Sequence, residues 1–200
     1  IPEGTVVFPN EPLITIKAPI IEAQILETMI LMIINHQCLI ATKASRIISS
    51  AKGRPVMEFG ARRVFGPDAA VEASKCSYLA GVAGTSNVLA GKKFNIPVMG
   101  TMAHSLVQQA DSEYEAFLNF AKSYPNNCVL LIDTYDTLRT GVPNAIRVAK
   151  EYLIPNGYRL KGVRIDSGDL AYLSKEAKKM FDEAGMSDVQ ICLSNGLNPE

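Results

Sequence analysis

Apolar residues follow two rhythms along this chain. Over residues 21–51 neither proline nor glycine interrupts, and Ile21, Ile25, Met29, Met32, Ile33 and Ile40 recur at a mostly helical spacing. That predicts one long helix, ended by Gly53 and Pro55. Its most apolar run, residues 25–34, is interrupted by Glu27 and is about half of the roughly 20 residues a membrane span needs, so it reads as a helix buried in protein. Ahead of it, Thr5-Val6-Val7-Phe8 and Leu13-Ile14-Thr15-Ile16 are short β-rich runs divided by Pro9-Asn10 and Pro12, a hairpin-like signature. After it a second rhythm repeats six times: a short β-branched run ends in small, polar or charged residues, and a helical stretch follows. The strand ends fall at residues 56–60, 79–84, 98–101, 129–133, 162–166 and 189–194.

Continuous apolar strands separated by amphipathic helices such as residues 174–184 imply parallel β/α units. No GxGxxG follows the first strand, and every strand ends in residues capable of chemistry, which favours a barrel over an open sheet. The expected fold is therefore α/β: an incomplete TIM-like (β/α) barrel of parallel strands, preceded by a few strands of an N-terminal α+β domain. Residues 1–20 would be a fragment of that β-containing domain, and residues 21–200 the helix plus most of the barrel, completed by chain beyond residue 200. Ile1-Pro2-Glu3-Gly4 carries neither an initiator Met nor a signal-peptide pattern, which fits a chain cropped at both ends.

Composition narrows the partners. With 48% apolar side chains the 200 residues can bury one substantial core. Twenty basic residues balance twenty acidic ones, so the surplus that nucleic-acid or anionic-membrane binding requires is missing, and neither partner is expected. Cys38, Cys76, Cys128 and Cys192 stand far apart without a CxxC pair, which excludes a metal-thiolate site and reads as buried thiols of a reducing, cytoplasmic compartment.

The strand ends hold the candidate chemistry, because a barrel brings them to one mouth. Glu58-Phe59-Gly60-Ala61-Arg62-Arg63 offers an aromatic face and two guanidinium groups, suited to a flat ring beside anionic oxygens or simply to a solvated strand terminus. Gly84-Thr85-Ser86-Asn87 either binds an anion or caps a helix, with capping the simpler account. Gly100-Thr101-Met102-Ala103-His104-Ser105 places one of only two histidines just after a strand. The other, His36, sits within the long helix and reads as structural or surface. Asp133-Thr134-Tyr135-Asp136 supplies carboxylates that could orient His104 or cap a helix, and Thr140-Gly141 resembles a tight turn with free backbone donors. Arg164-Ile165-Asp166-Ser167-Gly168-Asp169 is the densest motif. Strand alternation points Arg164 and Asp166 the same way, toward a phosphate or carboxylate and a ribose hydroxyl, while Asp169 could meet a divalent cation through water. Ser194-Asn195-Gly196-Leu197 fits either a late phosphate-binding turn or a plain glycine turn.

Taken together in this order, and with Gly84-Thr85-Ser86-Asn87-Val88-Leu89-Ala90 and Ala41-Thr42-Lys43-Ala44, these motifs resemble the nicotinate phosphoribosyltransferase family, a type II phosphoribosyltransferase family, over nearly the whole chain. The resemblance implies transfer of phosphoribose from phosphoribosyl pyrophosphate to nicotinate, giving nicotinate mononucleotide and pyrophosphate on the salvage route to NAD, with ATP hydrolysis and Mg²⁺ assisting. It implies a transiently phosphorylated His104 held by Asp133, Asp166 as the third catalytic residue, and Phe59 stacked on the pyridine ring. Arg62, Arg164, Ser167 and Gly168 would bind substrate, and Arg63, Thr101, Ser105, Ser194, Asn195 and Gly196 phosphate. Ser86 stands where the related nicotinamide-using enzymes carry an acid, which points to nicotinate. A homodimer is implied as well. The rivals are a quinolinate or nicotinamide phosphoribosyltransferase, and a catalytically silent nucleotide-binding barrel.

Overall fold

The structure is a computed structural model that describes residues 1–199. The chain divides into two compact units, Ile1–Gly100 with the chain end from Asn198, and Thr101–Leu197.

The first unit opens with turns rather than strands. Phe8 and Glu11 close a tight turn, the Phe8 N–H donating to the Glu11 carboxylate at 2.8 Å. The expected hairpin is absent, since residues 1–19 hold no strand. Pro9 and Pro12 cannot donate to a ladder, so the two β-rich runs gain little by pairing. Helix α1, Ile20–Ser50, follows the predicted bounds closely. Its burial does not: Ala44 is the one buried residue, and Ile21, Ile25 and Met32 are 73%, 73% and 66% exposed. By length and composition this helix could cross a membrane. Its apolar residues, including Leu26, Leu31 and Ile33, run almost all round the cylinder, more than one neighbour can cover. His36 Nε2 lies 3.4 Å from Ala69 O and the Gln37 amide donates to Glu72 at 3.3 Å, so that stretch of α1 is tied to α2, Pro67–Leu79.

Two two-residue strands, β1 (Met57–Glu58) and β2 (Gly84–Thr85), pair in parallel, with Met57 opposite Gly84 and Glu58 opposite Thr85. The run at 79–84 is mostly not a strand. Helix α2 extends through Leu79, and the chain turns at Gly81, whose φ of +109° suits glycine. The run at 98–101 reduces to a single parallel bridge between Val98 and Thr85. Gly84 allows this close approach, since a Cβ there would stand 2.6 Å from Pro97 O. Helix α3, Val88–Phe94, is capped by Asn87, whose side chain accepts from Ala90 N–H at 3.1 Å.

The second unit is a regular parallel α/β layer. Helices α4 (His104–Gln109) and α5 (Glu113–Ser123) lead into β3 (Val129–Leu131); α6 (Val142–Val148) leads to β4 (Gly162–Ile165), and α7 (Leu170–Glu183) to β5 (Gln190–Leu193). The order β3-β4-β5 is parallel throughout, with Leu130 opposite Val163 and Val163 opposite Ile191. Leu130, Leu131, Val163 and Ile165 are fully buried against Phe117 and Phe181, each contributing about 1.5–3 kcal/mol of apolar burial. Ser112 caps α5 by accepting from Glu115 N–H, and α7 ends at Gly185 in the left-handed region, with Met186 N–H returning to Phe181 O at 2.8 Å.

All four cysteines are free thiols. Cys76 and Cys128 are buried as expected, but Cys192 is half-buried and Cys38, on the poorly covered α1, is exposed. Burial pushes the Cys76 thiol up to about 11, with the Glu72 carboxylate adding to it, and the Cys128 thiol up to about 12.

Candidate functional site

In the second unit the ladder carries on past the named strands. Ile132 N–H donates to Arg164 O at 3.1 Å and Ser194 N–H to Ile165 O at 3.0 Å. Asp133, Asp166 and Ser194 therefore leave three adjacent strands at one level.

Asp133 is the anchor, with its side chain 1% exposed. Its Oδ1 lies 3.2 Å from His104 Nε2, and its Oδ2 accepts from Asp166 N–H at 2.8 Å and from Ser167 Oγ at 2.6 Å. An ionised carboxylate only accepts, so His104 Nε2 is the donor of this bond, and in the neutral imidazole the lone pair is then on Nδ1. The imidazole is 39% exposed, which leaves it reachable by a ligand.

Arg164 is the second hub. Nε donates to Ser194 Oγ at 2.8 Å, Nη1 to Thr101 Oγ1 at 2.7 Å and Nη2 to Asp166 Oδ1 at 2.7 Å. Strand alternation thus does bring Arg164 and Asp166 to one side. Ser194 Oγ also donates to Asp166 Oδ1. Burial opposes ionisation of Asp166, but the Ser194 hydroxyl and the Arg164 guanidinium outweigh it, aided by His104, and hold the carboxyl below the usual aspartate range. Its folded pKa therefore lies below the unfolded value of about 3.9, so the stability it contributes is complete above that value and is lost as pH falls through the lower folded one. A carbon-detected NMR titration of Asp166 is expected to show that depressed midpoint; a midpoint at or above the ordinary value would contradict the cluster.

Other members of the motifs take different places. Asp136 caps the π-helical turn Thr137–Gly141, accepting from Leu138 N–H at 3.1 Å and Arg139 N–H at 2.9 Å. The expectation of free donors at Thr140-Gly141 is wrong, because both N–H groups are spent on Asp136 O, at 3.0 and 2.9 Å. Asp169 caps α7, its Oδ1 accepting from Tyr172 N–H at 3.0 Å. Among the described residues no group of three His, Cys, Asp or Glu side chains is arranged to hold a metal ion. Ser105, Asn195 and Gly196 are exposed, the last two with φ of +84° and +61°, and Gly168 turns at φ +77°.

The first unit carries the remaining candidates. Phe59 is half-buried after β1, and Arg62 and Arg63 are exposed on the 3₁₀ turn Ala61–Arg63. Ser86 is exposed just after β2, its N–H donating to Glu58 O at 3.0 Å. Sequence reading gave no role to Ser74 or to the Glu58 carboxylate, and took Thr85 only as part of a turn; the three form a hydrogen-bonded cluster between these segments, with Ser74 and Thr85 buried and Glu58 half-buried. The available signal was a lone acid inside an apolar strand.

The second unit thus carries a candidate ligand site in which the ends of a parallel α/β layer fix a histidine on a buried aspartate beside an arginine-acid pair. The profile of the Nicotinate phosphoribosyltransferase (NAPRTase) family matches residues 55–200, and the chain belongs to that family. It is 52% identical over 198 residues to a nicotinate phosphoribosyltransferase of Bacillus subtilis, covering 98% of this chain and 39% of that protein. It is 53% identical over 197 residues to nicotinate phosphoribosyltransferase pncB2 of Mycobacterium tuberculosis, covering 98% of this chain and 42% of that one. The crystal structure of human nicotinic acid phosphoribosyltransferase superposes with a TM-score of 0.89 at 32% identity, over 99% of this chain and 50% of the human one. The chain spans about two fifths of the length of these two bacterial relatives.

Proposed function

We propose that the full-length protein is a nicotinate phosphoribosyltransferase that joins nicotinate to phosphoribose from phosphoribosyl pyrophosphate, with ATP hydrolysis, in NAD salvage. The observation that carries this reading is the His104–Asp133 pair: a buried carboxylate fixes one imidazole nitrogen and turns the other outward as a nucleophile. The family membership supports it. In the same proposal the parallel strands belong to a (β/α) barrel that is divided as read from the sequence, and the enzyme works as a cytoplasmic homodimer.

His104 Nδ1 attacks the γ-phosphorus of ATP, the bond to ADP breaks, and the phosphoimidazole is later hydrolysed to phosphate. Its Nε2–H stays on Asp133, which steadies the added charge distribution. At the sugar, the bond from the anomeric carbon to pyrophosphate breaks as the pyridine nitrogen bonds to that carbon, through an oxocarbenium-like transition state. Asp166, held ionised, suits a ribose hydroxyl and the developing positive charge. Arg62 and Arg63, exposed, suit anionic oxygens. Phe59 offers its ring face to the pyridine, and Ser86 offers a hydroxyl where a carboxylate would repel nicotinate. Among the described residues no three His, Cys, Asp or Glu side chains form a cation cage, so this chain would give Mg²⁺ at most one or two carboxylates, and the ion would neutralise charge on the pyrophosphate leaving group.

Incubating the protein with nicotinate, nicotinamide or quinolinate plus phosphoribosyl pyrophosphate, with and without ATP, tests the reading. Nicotinate mononucleotide should form, stimulated by ATP, with kcat/KM favouring nicotinate over nicotinamide by roughly 10²-fold or more. Preference for nicotinamide would refute the role given to Ser86. Turnover of quinolinate with release of carbon dioxide would install the rival enzyme.

A further inference from the structure

The paired strands of the first unit are only two residues long, and two ladder positions are a weak means of fixing one strand end against another. A side chain supplements them. Glu58 Oε1 accepts from its own segment, at Gly60 N–H, where the chain enters the turn that carries Arg62 and Arg63. Glu58 Oε2 accepts from Thr85 Oγ1 at 2.6 Å and from Ser74 Oγ, on α2, at 2.9 Å. Thr85 Oγ1 in turn accepts from Asn87 N–H at 2.9 Å, and Asn87 caps α3. One carboxylate thus ties the Phe59–Arg63 segment to the Thr85–Asn87 segment and to the helix between them.

Ser74 and Thr85 are both fully buried. Buried hydroxyls need partners, yet a carboxylate is a demanding choice, because it loses hydration that two hydroxyls and one amide only partly replace. Apolar packing would serve bare stability at least as well. What the acid adds is direction, through three donors drawn from three pieces of chain onto one rigid acceptor.

Resting on the reading above, we infer that Glu58 is a positioning residue for the pyridine substrate: it sets Phe59 and Ser86 in one register, so that ring face and hydroxyl are presented together. It touches no substrate itself. Its effect is therefore largest on capture of nicotinate, and slight on the phosphoribosyl donor, which Arg62 and Arg63 would meet from exposed positions further along the turn.

The test compares wild type, Glu58→Ala and Glu58→Gln in the full-length protein. Glutamine keeps an acceptor for Gly60 N–H, and its amide can donate to the two hydroxyls. Ser74 can then give its proton to Ala70 O, 3.0 Å away, and Thr85 its proton to Ser74 Oγ, 3.2 Å away. Glu58→Ala is expected to raise KM for nicotinate about 10-fold while KM for phosphoribosyl pyrophosphate and kcat stay within about twofold, and Glu58→Gln to restore most of the loss. Amide hydrogen exchange read by mass spectrometry should quicken in Glu58→Ala at Gly60 and Asn87 together, while an unchanged melting temperature shows the fold intact. Equal losses for both substrates, or no loss, would overturn the inference. Were wild type itself inactive on nicotinate, the functional reading would fall, and exchange would decide the rest: paired quickening keeps the coupling, and independent or absent change removes it.

Discussion

Asp133→Asn is expected to cut phosphoryl transfer to His104 by about 10³–10⁴-fold while leaving the protein folded. The geometry explains why so small a change would matter. Asp133 accepts on both oxygens, from His104 Nε2 on one and from Asp166 N–H and Ser167 Oγ on the other. An asparagine amide must aim its NH₂ at one of those two sets. Aimed at His104, it needs a lone pair on Nε2, which moves the imidazole proton to Nδ1 and removes the nucleophile. Aimed at Asp166 and Ser167, it faces a backbone N–H and strands it. His104→Ala should abolish the phosphoimidazole outright and with it ATP stimulation, leaving a slower, ATP-independent phosphoribosyl transfer. Radiolabel transfer from γ-labelled ATP, quenched in alkali to preserve phosphohistidine, measures both variants. Undiminished labelling in His104→Ala would take His104 out of the mechanism, and undiminished labelling in Asp133→Asn would remove the role given to Asp133.

The second large effect is on stability. Gly141→Ala should cost roughly 3 kcal/mol or more, lowering Tm by about 6–12 °C. The backbone there is ordinary helix, with φ −60° and ψ −57°, so conformation is no obstacle. The obstacle is contact: a Cβ would stand 1.9 Å from Ile132 O and 2.8 Å from Ile132 C. Ile132 is fully buried and directly precedes Asp133, so the clash cannot relax without moving the anchor of the site. Gly100→Ala, where a Cβ would meet nothing within 4 Å, is the control and should change Tm little. Equal melting temperatures for the two variants would refute the packing argument.

The second unit was far more legible in sequence than the first. Val129-Leu130-Leu131 and Gly162-Val163-Arg164-Ile165 are parallel strands, the second paired on both sides, and their apolar runs state their burial directly. Position in sequence suggested only that a carboxylate of Asp133 or Asp136 could orient His104, and the choice of Asp133 came with the family resemblance; the contact is with Asp133. Asp136 caps a helical turn, the alternative read for it, and Asp169 caps α7, a role the sequence reading did not give it; carboxylates close to helix starts find unpaired N–H groups first. In the first unit local pattern misled. The β-rich runs before Pro19 have no partner strand, and α1 is apolar on more sides than its neighbour α2 can cover. Glu58 escaped notice because its partners, Ser74 and Thr85, lie 16 and 27 residues away, a separation that no periodicity reports.

Every nitrogen of the Arg164 guanidinium already holds a protein acceptor. These bonds commit three of its five N–H donors, so an anion that meets the guanidinium along those edges enters by exchange, replacing the neutral hydroxyl of Thr101 or Ser194 or trading places with the Asp166 carboxylate. Affinity there would turn on how closely the newcomer reproduces the spacing of the oxygens it evicts. Selectivity would come from fit, with part of the attraction already met by Asp166.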